Sequence, residues 1–307
     1  MRNRTVTSGA SEPGARAERP DASPIATRVF RSFQAVIRRE SGISLSDAKK
    51  ALLVGRLARR MRELGIEDHE EYLERVEADA GERVVMLDAI ATNETHFFRE
   101  PAQFTFLRET AFPRWLEAAA AGKRPRRLRV WSAGCSTGEE PYTLAMLLVS
   151  FFPRDWDLEV RATDLSTKAL ARAEAAVWPI ERAREIPPAL LKTYMLRGTG
   201  PEEGRMKAGP EIRALVRFER LNLADDSWAE GGPFDAILCR NVLIYFDAEG
   251  KRRAVSRLLD HLAEGGLFFV GHAESLNGIT DRVRPVMPCV YTAGDAPAAR
   301  GRVRARA

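Results

Sequence analysis

Short apolar segments alternate with helical segments along the chain from residue 128 onward. Four runs have the character of strands: LRVW, LEVRATD, FDAILCRN and GLFFVGH. The segments 141–151, 167–177 and 248–262 between them have helical spacing. Strands that alternate with helices in this way pair in parallel, because each helix returns the chain to the start of the next strand. We therefore predict an α/β fold with a doubly wound, Rossmann-like parallel sheet.

The residues before this region predict a small all-helical domain. Phe30, Phe33 and Ile37 share one helical face, and Gly42 ends that helix. A second amphipathic helix follows within 46–64, and two shorter helices begin near residues 68 and 82.

Shifts in composition divide the chain into five segments. Between 178 and 218, five prolines and the turn sequence RGTGPEEG interrupt the alternation, which predicts an inserted subdomain. The predicted segments are a flexible leader (1–24), a helical domain (25–92), a linker (93–110), an α/β domain (111–293) and a flexible basic tail (294–307).

Several classes of protein are disfavoured by what the sequence lacks. No apolar run approaches the roughly 20 residues of a membrane helix, and the first residues have no apolar core of a secretory signal. Three scattered cysteines and four scattered histidines match neither a disulfide framework nor a zinc spacing. We therefore expect a cytoplasmic protein that holds no metal.

Charge is segregated along the chain. Four arginines among the last eight residues account for most of the net charge of +5. Residues 28–62 carry ten basic side chains against two acidic ones, a net charge of +8, and residues 63–88 reverse this to −8. The basic helices either dock an acidic partner or are solvated and pair with the acidic third helix.

A glycine-containing loop follows the first predicted strand, in the sequence SAGCSTGEEPYTLAM. The loop therefore lies at the carboxyl edge of the sheet, where open α/β sheets bind ligands, although a plain structural turn is the alternative. Gly134 and Gly138 match neither a dinucleotide fingerprint nor a phosphate loop. Glu139 and Glu140 begin the next helix, where two carboxylates would repel a pyrophosphate and favour a cationic group.

Asp164 ends the second predicted strand. An ionised carboxylate there can accept hydrogen bonds from both hydroxyls of a ribose, although an N-cap for the following helix is the alternative. A nucleoside with a cationic attachment that carries no phosphate describes S-adenosylmethionine. The predicted class is therefore an S-adenosylmethionine-dependent methyltransferase.

Six further sequence blocks follow one another along the chain: TNETHFFRE, WSAGCSTGEEPYTLAM, ATDLS, RLNLAD, FDAILCRNVLIYFD and GHAES. Together they resemble the CheR family of chemotaxis-receptor glutamate methyltransferases. The resemblance spans roughly residues 28–293 in the family's order.

This resemblance implies a cofactor site and a reaction centre. Arg99 and Tyr245 correspond to the family's candidate catalytic residues. Glu140 would meet the cationic end of the cofactor and Asp164 the ribose. The residues implied to bind S-adenosylmethionine are Asn93, Thr95, Arg99, Glu140, Asp164, Asn222, Leu223, Arg240 and Asn241, with Asn222 and Leu223 beside the adenine and Arg240 and Asn241 at the methionine end.

The resemblance also implies a substrate and partners. The substrates would be glutamates of chemoreceptors, giving glutamate 5-O-methyl ester and S-adenosylhomocysteine without a metal. The basic helices of 28–62 would dock the cytoplasmic helical domain of the receptor. The insertion at 178–218 would be a small antiparallel β-subdomain that tethers a receptor C-terminal peptide by strand addition. We expect a monomer that binds no nucleic acid and does not insert into a membrane.

Two other functions compete with this one. A nucleic-acid methyltransferase that modifies amino groups needs a [DN]PP[YFW] motif, whereas this chain has RNVLIYF, and its basic helices lack interleaved aromatic residues. A non-catalytic sensor or scaffold that binds S-adenosylmethionine or a nucleotide would have a damaged reaction centre. Arg99, Asn241 and Tyr245 instead stand where the family has them.

Overall fold

The computed structural model describes residues 25–228 and 231–294, so the predicted leader and all but the first residue of the predicted tail lie outside the described residues. Four helices form the first unit, with Phe33, Leu57 and Tyr72 fully buried between them. The helices are α1 (Thr27–Ser41), α2 (Lys50–Leu64), α3 (His69–Ala78) and α4 (Ala80–Ile90).

The ends of these helices follow from local chemistry. Gly42 and Gly65 close α1 and α2 in the left-handed conformation, with φ near +70° at both. The Asp68 carboxylate accepts a hydrogen bond from Glu70 N at the start of α3. α2 begins at Lys50, later than expected, because a 3₁₀ turn occupies Asp47–Lys49.

A buried carboxylate ties α2, α3 and α4 together. Glu82 accepts hydrogen bonds from the Tyr72 hydroxyl at 2.9 Å and from Arg60 at 2.6 and 2.9 Å. The guanidinium of Arg60 holds the pKa of Glu82 below its ordinary value, although burial opposes this shift. Ion pairing within this unit therefore uses part of its basic charge.

A helical segment leads from the first unit into the sheet. It comprises α5 (Pro101–Phe106), a π-helical stretch (Leu107–Ala111) and α6 (Phe112–Ala120). Phe104 and Phe112 are buried in the core of the second unit. The predicted linker is consequently extended at its start and helical at its end.

Within residues 25–228 and 231–294, ten strands form two sheets. The larger sheet has the order β6-β2-β1-β7-β8-β10-β9, and the smaller one has the order β3-β5-β4. The strands are β1 (Arg127–Ala133), β2 (Asp157–Asp164), β3 (Val177–Pro179), β4 (Met195–Arg197), β5 (Arg205–Ala208), β6 (Val216–Arg220), β7 (Phe234–Leu238), β8 (Leu262–Phe269), β9 (Val283–Met287) and β10 (Val290–Ala293).

The larger sheet confirms the doubly wound α/β fold but is not purely parallel. β6, β2, β1, β7 and β8 pair in parallel, whereas β10 runs antiparallel to both β8 and β9. The prediction of an all-parallel sheet is wrong at this edge. Only Pro288 and Cys289 separate β9 from β10, and a connection this short permits only an antiparallel pair.

Five further helices belong to the second unit within the described residues. The helix after the glycine loop begins at Glu139, so Glu139 and Glu140 occupy its first turn as expected. The next ends at Ala175 because Ala176 adopts a positive φ of 55° and Val177 already belongs to β3. These helices are α7 (Glu139–Phe151), α8 (Thr167–Ala175), α9 (Pro188–Tyr194), α10 (Pro210–Arg213) and α11 (Ala248–Asp260).

The predicted insertion is an antiparallel β-subdomain. β5 pairs with β3 on one side and with β4 on the other, antiparallel in both cases. The RGTGPEEG sequence forms the connection between β4 and β5, where Arg197 pairs with Met206. β3 and β4 are the edge strands of this small sheet.

The strand order reverses beside β1, which determines where a ligand can enter. β2 and β6 lie on one side of β1, and β7 and β8 lie on the other. In a doubly wound sheet the crevice opens at the carboxyl ends of the two strands that flank this reversal, here β1 and β7.

The helical unit packs on this same edge of the sheet. Ser44 N donates to Tyr245 O at 2.7 Å, and Ile43 forms a β-bridge with Phe246. The Thr167 hydroxyl donates to Asp88 at 2.6 Å. Among the described residues, none of the helices is both long and apolar enough to span a bilayer.

Candidate functional site

One cleft lies between the helical unit and the carboxyl edge of the larger sheet. It encloses about 1200 Å³, part of which is open to solvent. The structure brings all ten residues of the predicted site to the walls of this cleft. They are Asn93, Thr95, Arg99, Glu140, Asp164, Asn222, Leu223, Arg240, Asn241 and Tyr245.

The glycine loop forms the part of the cleft next to β1. Gly134 N and Cys135 N donate to Thr163 O at 2.7 and 2.9 Å, which folds the loop back onto β2. Gly134 has a φ of 88°, and a Cβ there would overlap Val242, so only glycine fits. The Ser136 hydroxyl is buried and has no hydrogen-bond partner among the described residues, although its residue lines the cleft.

Asp164 supports this loop from the end of β2. Its carboxylate accepts hydrogen bonds from Ser136 N and Ser166 N, both at 2.8 Å. Burial raises the pKa of Asp164, and the two N–H donors oppose that shift. The N-cap of α8 is Ser166, whose hydroxyl accepts from Ala169 N, so Asp164 does not have the alternative N-cap role. An ionised carboxylate with two bonds retains acceptor capacity for a ligand.

Glu140 and Arg240 pair directly with each other. Arg240 Nη1 donates to Glu140 Oε2 at 2.8 Å, and the Ser132 hydroxyl donates to Glu140 Oε1 at 2.7 Å. Arg240 Nη2 contacts Glu100 Oε2 at 3.1 Å and donates to Arg99 O. The Arg240 side chain is only 2% exposed, so much of its hydrogen-bonding capacity joins the linker to the sheet.

Asn222 and Leu223 lie on the opposite side of the cleft. The Asn222 amide donates to Glu40 O at 2.8 Å and to Asp225 at 2.7 Å. This side chain thus connects α1 to the loop after β6. Leu223 is buried and offers an apolar surface to the cleft.

Arg99 and Tyr245 line the cleft and are partly exposed. Arg99 Nη1 donates to Glu94 O at 2.7 Å, which holds the linker in a turn. Lys49 Nζ lies 5.6 Å from the centre of the Tyr245 ring, within the range of a cation–π contact. No hydrogen bond from the Tyr245 hydroxyl is present among the described residues.

Glu274, the carboxylate that holds Asn241, was not among the predicted site residues. Glu274 accepts hydrogen bonds from Gly271 N at 2.7 Å, Asn241 N at 2.8 Å and Ile244 N at 3.1 Å. Asn241 has a φ of 58°, and a Cβ on Gly271 would lie 2.8 Å from Asn241 Cγ. GHAES contained the signal, since it places a glycine and a carboxylate directly after a strand.

The 3₁₀ turn before α2 and the first turns of α2 contribute a stripe of residues that were not predicted to line the cleft. Lys49 lies in the 3₁₀ turn, and Leu52 and Arg56 lie in α2. Arg56 donates to Ile90 O and, at 3.0 Å, to the Thr92 hydroxyl, so it anchors the start of the linker.

Many of the basic residues in 28–62 have carboxylate partners within the protein. Among the described residues, Arg28–Glu70 is the one ion pair that joins this segment to the acidic third helix, so internal pairing accounts for part of the charge and docking of an acidic partner stays a prediction. The pairs are Arg28–Glu70, Arg38–Asp247, Arg39–Glu40, Arg59–Glu63 and Arg60–Glu82.

Metal ligands do not cluster in the part of the chain that the structure describes. No group of three or more His, Cys, Asp or Glu side chains there could hold a metal ion. Cys135 and Cys239 are buried, and burial raises the pKa of both thiols well above the ordinary value.

Comparison with known proteins identifies relatives over most of the chain. Residues 28–91 match the family described as CheR methyltransferase, all-alpha domain, and residues 93–291 match CheR methyltransferase, SAM binding domain. The chain is 39% identical over 267 residues to chemotaxis protein methyltransferase 2 of Pseudomonas aeruginosa, covering 86% of this chain and 92% of that protein. The chemotaxis protein methyltransferases of Klebsiella aerogenes and Escherichia coli are 38% and 37% identical, covering 91% and 82% of this chain and 94% and 86% of their own lengths.

Proposed function

Because the chain belongs to the CheR methyltransferase family, we propose that it transfers methyl groups from S-adenosylmethionine to glutamate side chains of chemotaxis receptors. S-adenosylmethionine-dependent methylation in chemotaxis is the function of the family. A non-catalytic sensor is not favoured, since the relatives are methyltransferases. To this function of the family we add the proposal that glutamate is the methyl acceptor.

The residues present in the cleft fit S-adenosylmethionine. Asp164 retains acceptor capacity for the two ribose hydroxyls, and the Ser136 hydroxyl beside it lacks a partner within the described residues. Leu221 and Leu223 provide apolar walls for the adenine. The Glu140 carboxylate suits a cationic group at the other end. Asn93, Thr95 and Asn241 complete the proposed pocket.

One observation carries this proposal. The ten residues come from five separate parts of the sequence, yet all of them line the crevice at the reversal of strand order. Carboxylates lie where a pyrophosphate-binding site would have glycine N–H groups and lysine. The cleft is therefore suited to a nucleoside whose attachment is cationic.

The reaction needs little from the protein beyond positioning. When bound, S-adenosylmethionine supplies a methyl group activated by the positive sulfur. A glutamate side chain has an ordinary pKa of about 4.3, so it is already ionised at neutral pH and needs no general base. A carboxylate oxygen forms a bond to the methyl carbon, the carbon–sulfur bond breaks, and its electron pair stays on sulfur. Both charges disappear, which a cleft shielded from water favours.

We assign the two catalytic roles to Arg99 and Tyr245. Arg99 can turn from Glu94 O to orient the incoming carboxylate through two N–H donors. Its hold must be moderate, because tight binding would stabilise the ground state more than the transition state. The Tyr245 hydroxyl can donate a hydrogen bond near the path of the methyl group.

The receptor would dock along α2 beside the cleft. Lys49 and Arg56 line the cleft, Leu52 is 46% exposed, and Arg59 continues the same face. This stripe combines cationic and apolar side chains, which complements an acidic amphipathic helix.

The β-subdomain is the proposed second contact with receptors. β4 is an edge strand in which Leu196 is 54% exposed, so a receptor C-terminal peptide could add there as a fourth strand. Titration of such peptides against the protein by calorimetry tests this contact, and absence of binding would remove it from the proposal.

A methyl-transfer assay tests the proposed function as a whole. The protein is incubated with tritiated S-adenosylmethionine and membranes that contain candidate receptors. We expect labelled receptor whose counts are released as volatile methanol by base, as an ester requires. Label that resists base would indicate transfer to nitrogen, and receptors in which the modified glutamates are changed to alanine supply the control.

A further inference from the structure

Two carboxylates share one buried guanidinium at the junction of the linker and the sheet. Arg240 Nη1 lies 2.8 Å from Glu140 Oε2, and Arg240 Nη2 lies 3.1 Å from Glu100 Oε2. The side chains of Glu140, Glu100 and Arg240 are only 13%, 10% and 2% exposed. Glu140 lines the cleft, and Glu100 lies behind it.

The charges of this cluster do not cancel. One arginine with one glutamate would be neutral, whereas one arginine with two glutamates leaves a net charge of −1. Although burial opposes ionisation, His272 N and Arg240 hold the pKa of Glu100 below its ordinary value, so Glu100 is charged at neutral pH. Asn241 Nδ2 and Gln103 Nε2 also donate to Glu100, at 3.4 and 3.2 Å.

Glu274, which accepts from Asn241 N and Gly271 N, adds another buried carboxylate beside the cluster, whereas few cations face it. The guanidinium of Arg99 donates to Glu94 O. The His272 ring lies 3.9 Å from Glu100 and is 63% exposed, so it adds charge only when protonated. A buried excess of negative charge is costly to maintain unless a cation compensates it.

We propose that Glu100 shares Arg240 so that Glu140 remains available as the counter-ion for the cationic methionyl end of S-adenosylmethionine. Without Glu100, Arg240 would neutralise Glu140, and the cleft would lose its preference for a cation. Glu100 does not line the cleft, so it acts through Arg240 and Glu140 as a positioning residue. This inference rests on the proposed cofactor but not on the identity of the methyl acceptor.

The selectivity of binding tests this inference. We compare the wild-type chain with Glu100→Gln by calorimetry at about pH 8, where a free imidazole is uncharged. Three ligands differ in charge: S-adenosylmethionine has the ammonium and the sulfonium, S-adenosylhomocysteine has the ammonium alone, and 5′-methylthioadenosine has neither. We expect the Kd of S-adenosylmethionine to rise about tenfold and that of 5′-methylthioadenosine to stay the same. The change in the Kd of S-adenosylhomocysteine shows whether Glu100 acts through the ammonium or through the sulfonium.

Further variants separate charge from structure. Glu100→Asp retains the carboxylate and should recover most of the lost affinity. His272→Lys places a permanent cation beside Glu100 and keeps the backbone N–H that donates to Glu100. This variant should raise the Kd of S-adenosylmethionine selectively, and it tests the inference even if Glu100→Gln folds poorly. Glu109→Gln, at an exposed carboxylate paired with Arg108, is the matched control.

Two results would overturn the inference. An equal loss for all three ligands would mean that Glu100 only supports the loop, and unchanged Kd values would mean that its charge is irrelevant. If the wild-type chain binds S-adenosylmethionine with this selectivity but methylates no receptor, the proposed function fails while this inference stands.

Discussion

Carboxylates organise the backbone around the cleft residue by residue. The position of Asp164 beside the cleft was predictable because this residue ends an apolar strand. The position of Glu140 was predictable because this residue lies at the start of the helix after a glycine loop. Glu274 was not, since its donors at Asn241 and Ile244 lie 33 and 30 residues away in the sequence. The spacing of residues in the sequence indicates which element carries a side chain. Contacts between distant parts of the chain decide which groups that side chain reaches.

The same limit applies to the roles of individual site residues. The resemblance implies that Arg240 contacts the methionine end and that Asn222 flanks the adenine. In the structure, Arg240 is paired with Glu140 and Glu100, and the Asn222 amide bonds to Glu40 O. Both residues line the cleft, but these pairings could not be inferred from the sequence.

Arg99→Ala and Tyr245→Phe should lower turnover more than cofactor affinity. Both residues line the cleft and are partly exposed, and we assign them to the methyl-transfer step. We expect kcat to fall at least about tenfold for each variant, with the Kd of S-adenosylmethionine nearly unchanged. Steady-state kinetics with receptor membranes and calorimetry provide the two values.

Arg108→Ala, on an exposed helical surface, is the control for these variants. Wild-type kcat in both Arg99→Ala and Tyr245→Phe would contradict the catalytic assignments. A large rise in Kd with unchanged kcat would reassign the residues to cofactor binding.

Glu82→Gln should destabilise the helical unit in a pH-dependent manner. The substitution replaces a carboxylate that accepts from Arg60 and Tyr72, so we expect a loss of about 2 kcal/mol in the free energy of unfolding at pH 7. Because the folded state holds the pKa of Glu82 below the ordinary 4.5, its contribution is complete above that pH. The contribution is lost as the pH falls through the lower folded value.

Denaturant unfolding of both proteins, from neutral pH to below 4.5, measures this difference. Glu63→Gln is the matched control, because Glu63 also pairs with an arginine but is exposed, and should change stability little. A difference that stays constant across the acidic range would exclude a role for the ionised form of Glu82.

At the scale of the element, α2 shows how charge counting can mislead. The sequence predicts a docking surface of net charge +8, yet Arg60 bonds to Glu82 and Arg56 to Ile90 O, across 22 and 34 residues. The count is correct, but it does not show which cations are used internally. Arg59 is the better probe of docking, because its partner Glu63 is exposed and the pair is weak.

Arg59→Glu should therefore weaken receptor binding without harming the cleft. We expect the KM for receptor to rise about fivefold at low salt, with an effect that shrinks as ionic strength rises. Arg154→Glu changes the net charge equally on the loop that follows α7, at the end of that helix away from the cleft. Equal effects of the two reversals on KM would show that only the overall charge matters.

At the scale of the whole molecule, both units and the insertion were predictable, but their junction was not. Periodicity and turn residues indicate each unit because they act over a few residues. The junction depends on Gly42, whose added Cβ would lie 2.6 Å from the Phe246 ring, and on the backbone bond from Ser44 to Tyr245. No local pattern in the sequence indicates that these two segments meet.

Gly42→Ala should disturb the cleft, whereas Gly65→Ala should not. Both glycines end helices with φ near +70°, so alanine costs about 1 kcal/mol at either position. Only at Gly42 does the new methyl group also meet another part of the protein, since nothing lies within 4 Å at Gly65. We expect a larger loss of stability and a severalfold higher Kd for S-adenosylmethionine in Gly42→Ala alone.

Thermal unfolding and calorimetry on the two variants check this prediction. Identical Kd values for the two proteins would show that the junction does not control the shape of the cleft. A rise in Kd for Gly65→Ala would instead trace the effect to the helical unit as a whole.

The backbone contacts of Ile43 and Ser44 with the segment around Tyr245 favour exchange of the helical unit. Main-chain hydrogen bonds do not depend on which side chains flank them, so a unit with a different surface can keep this part of the joint if Arg38 and Asp88 still pair with Asp247 and Thr167. We expect a chimera that carries a relative's helical unit, with glycine kept at position 42, to adopt that relative's receptor preference. Such grafting would redirect the enzyme to a new receptor without any change in its chemistry.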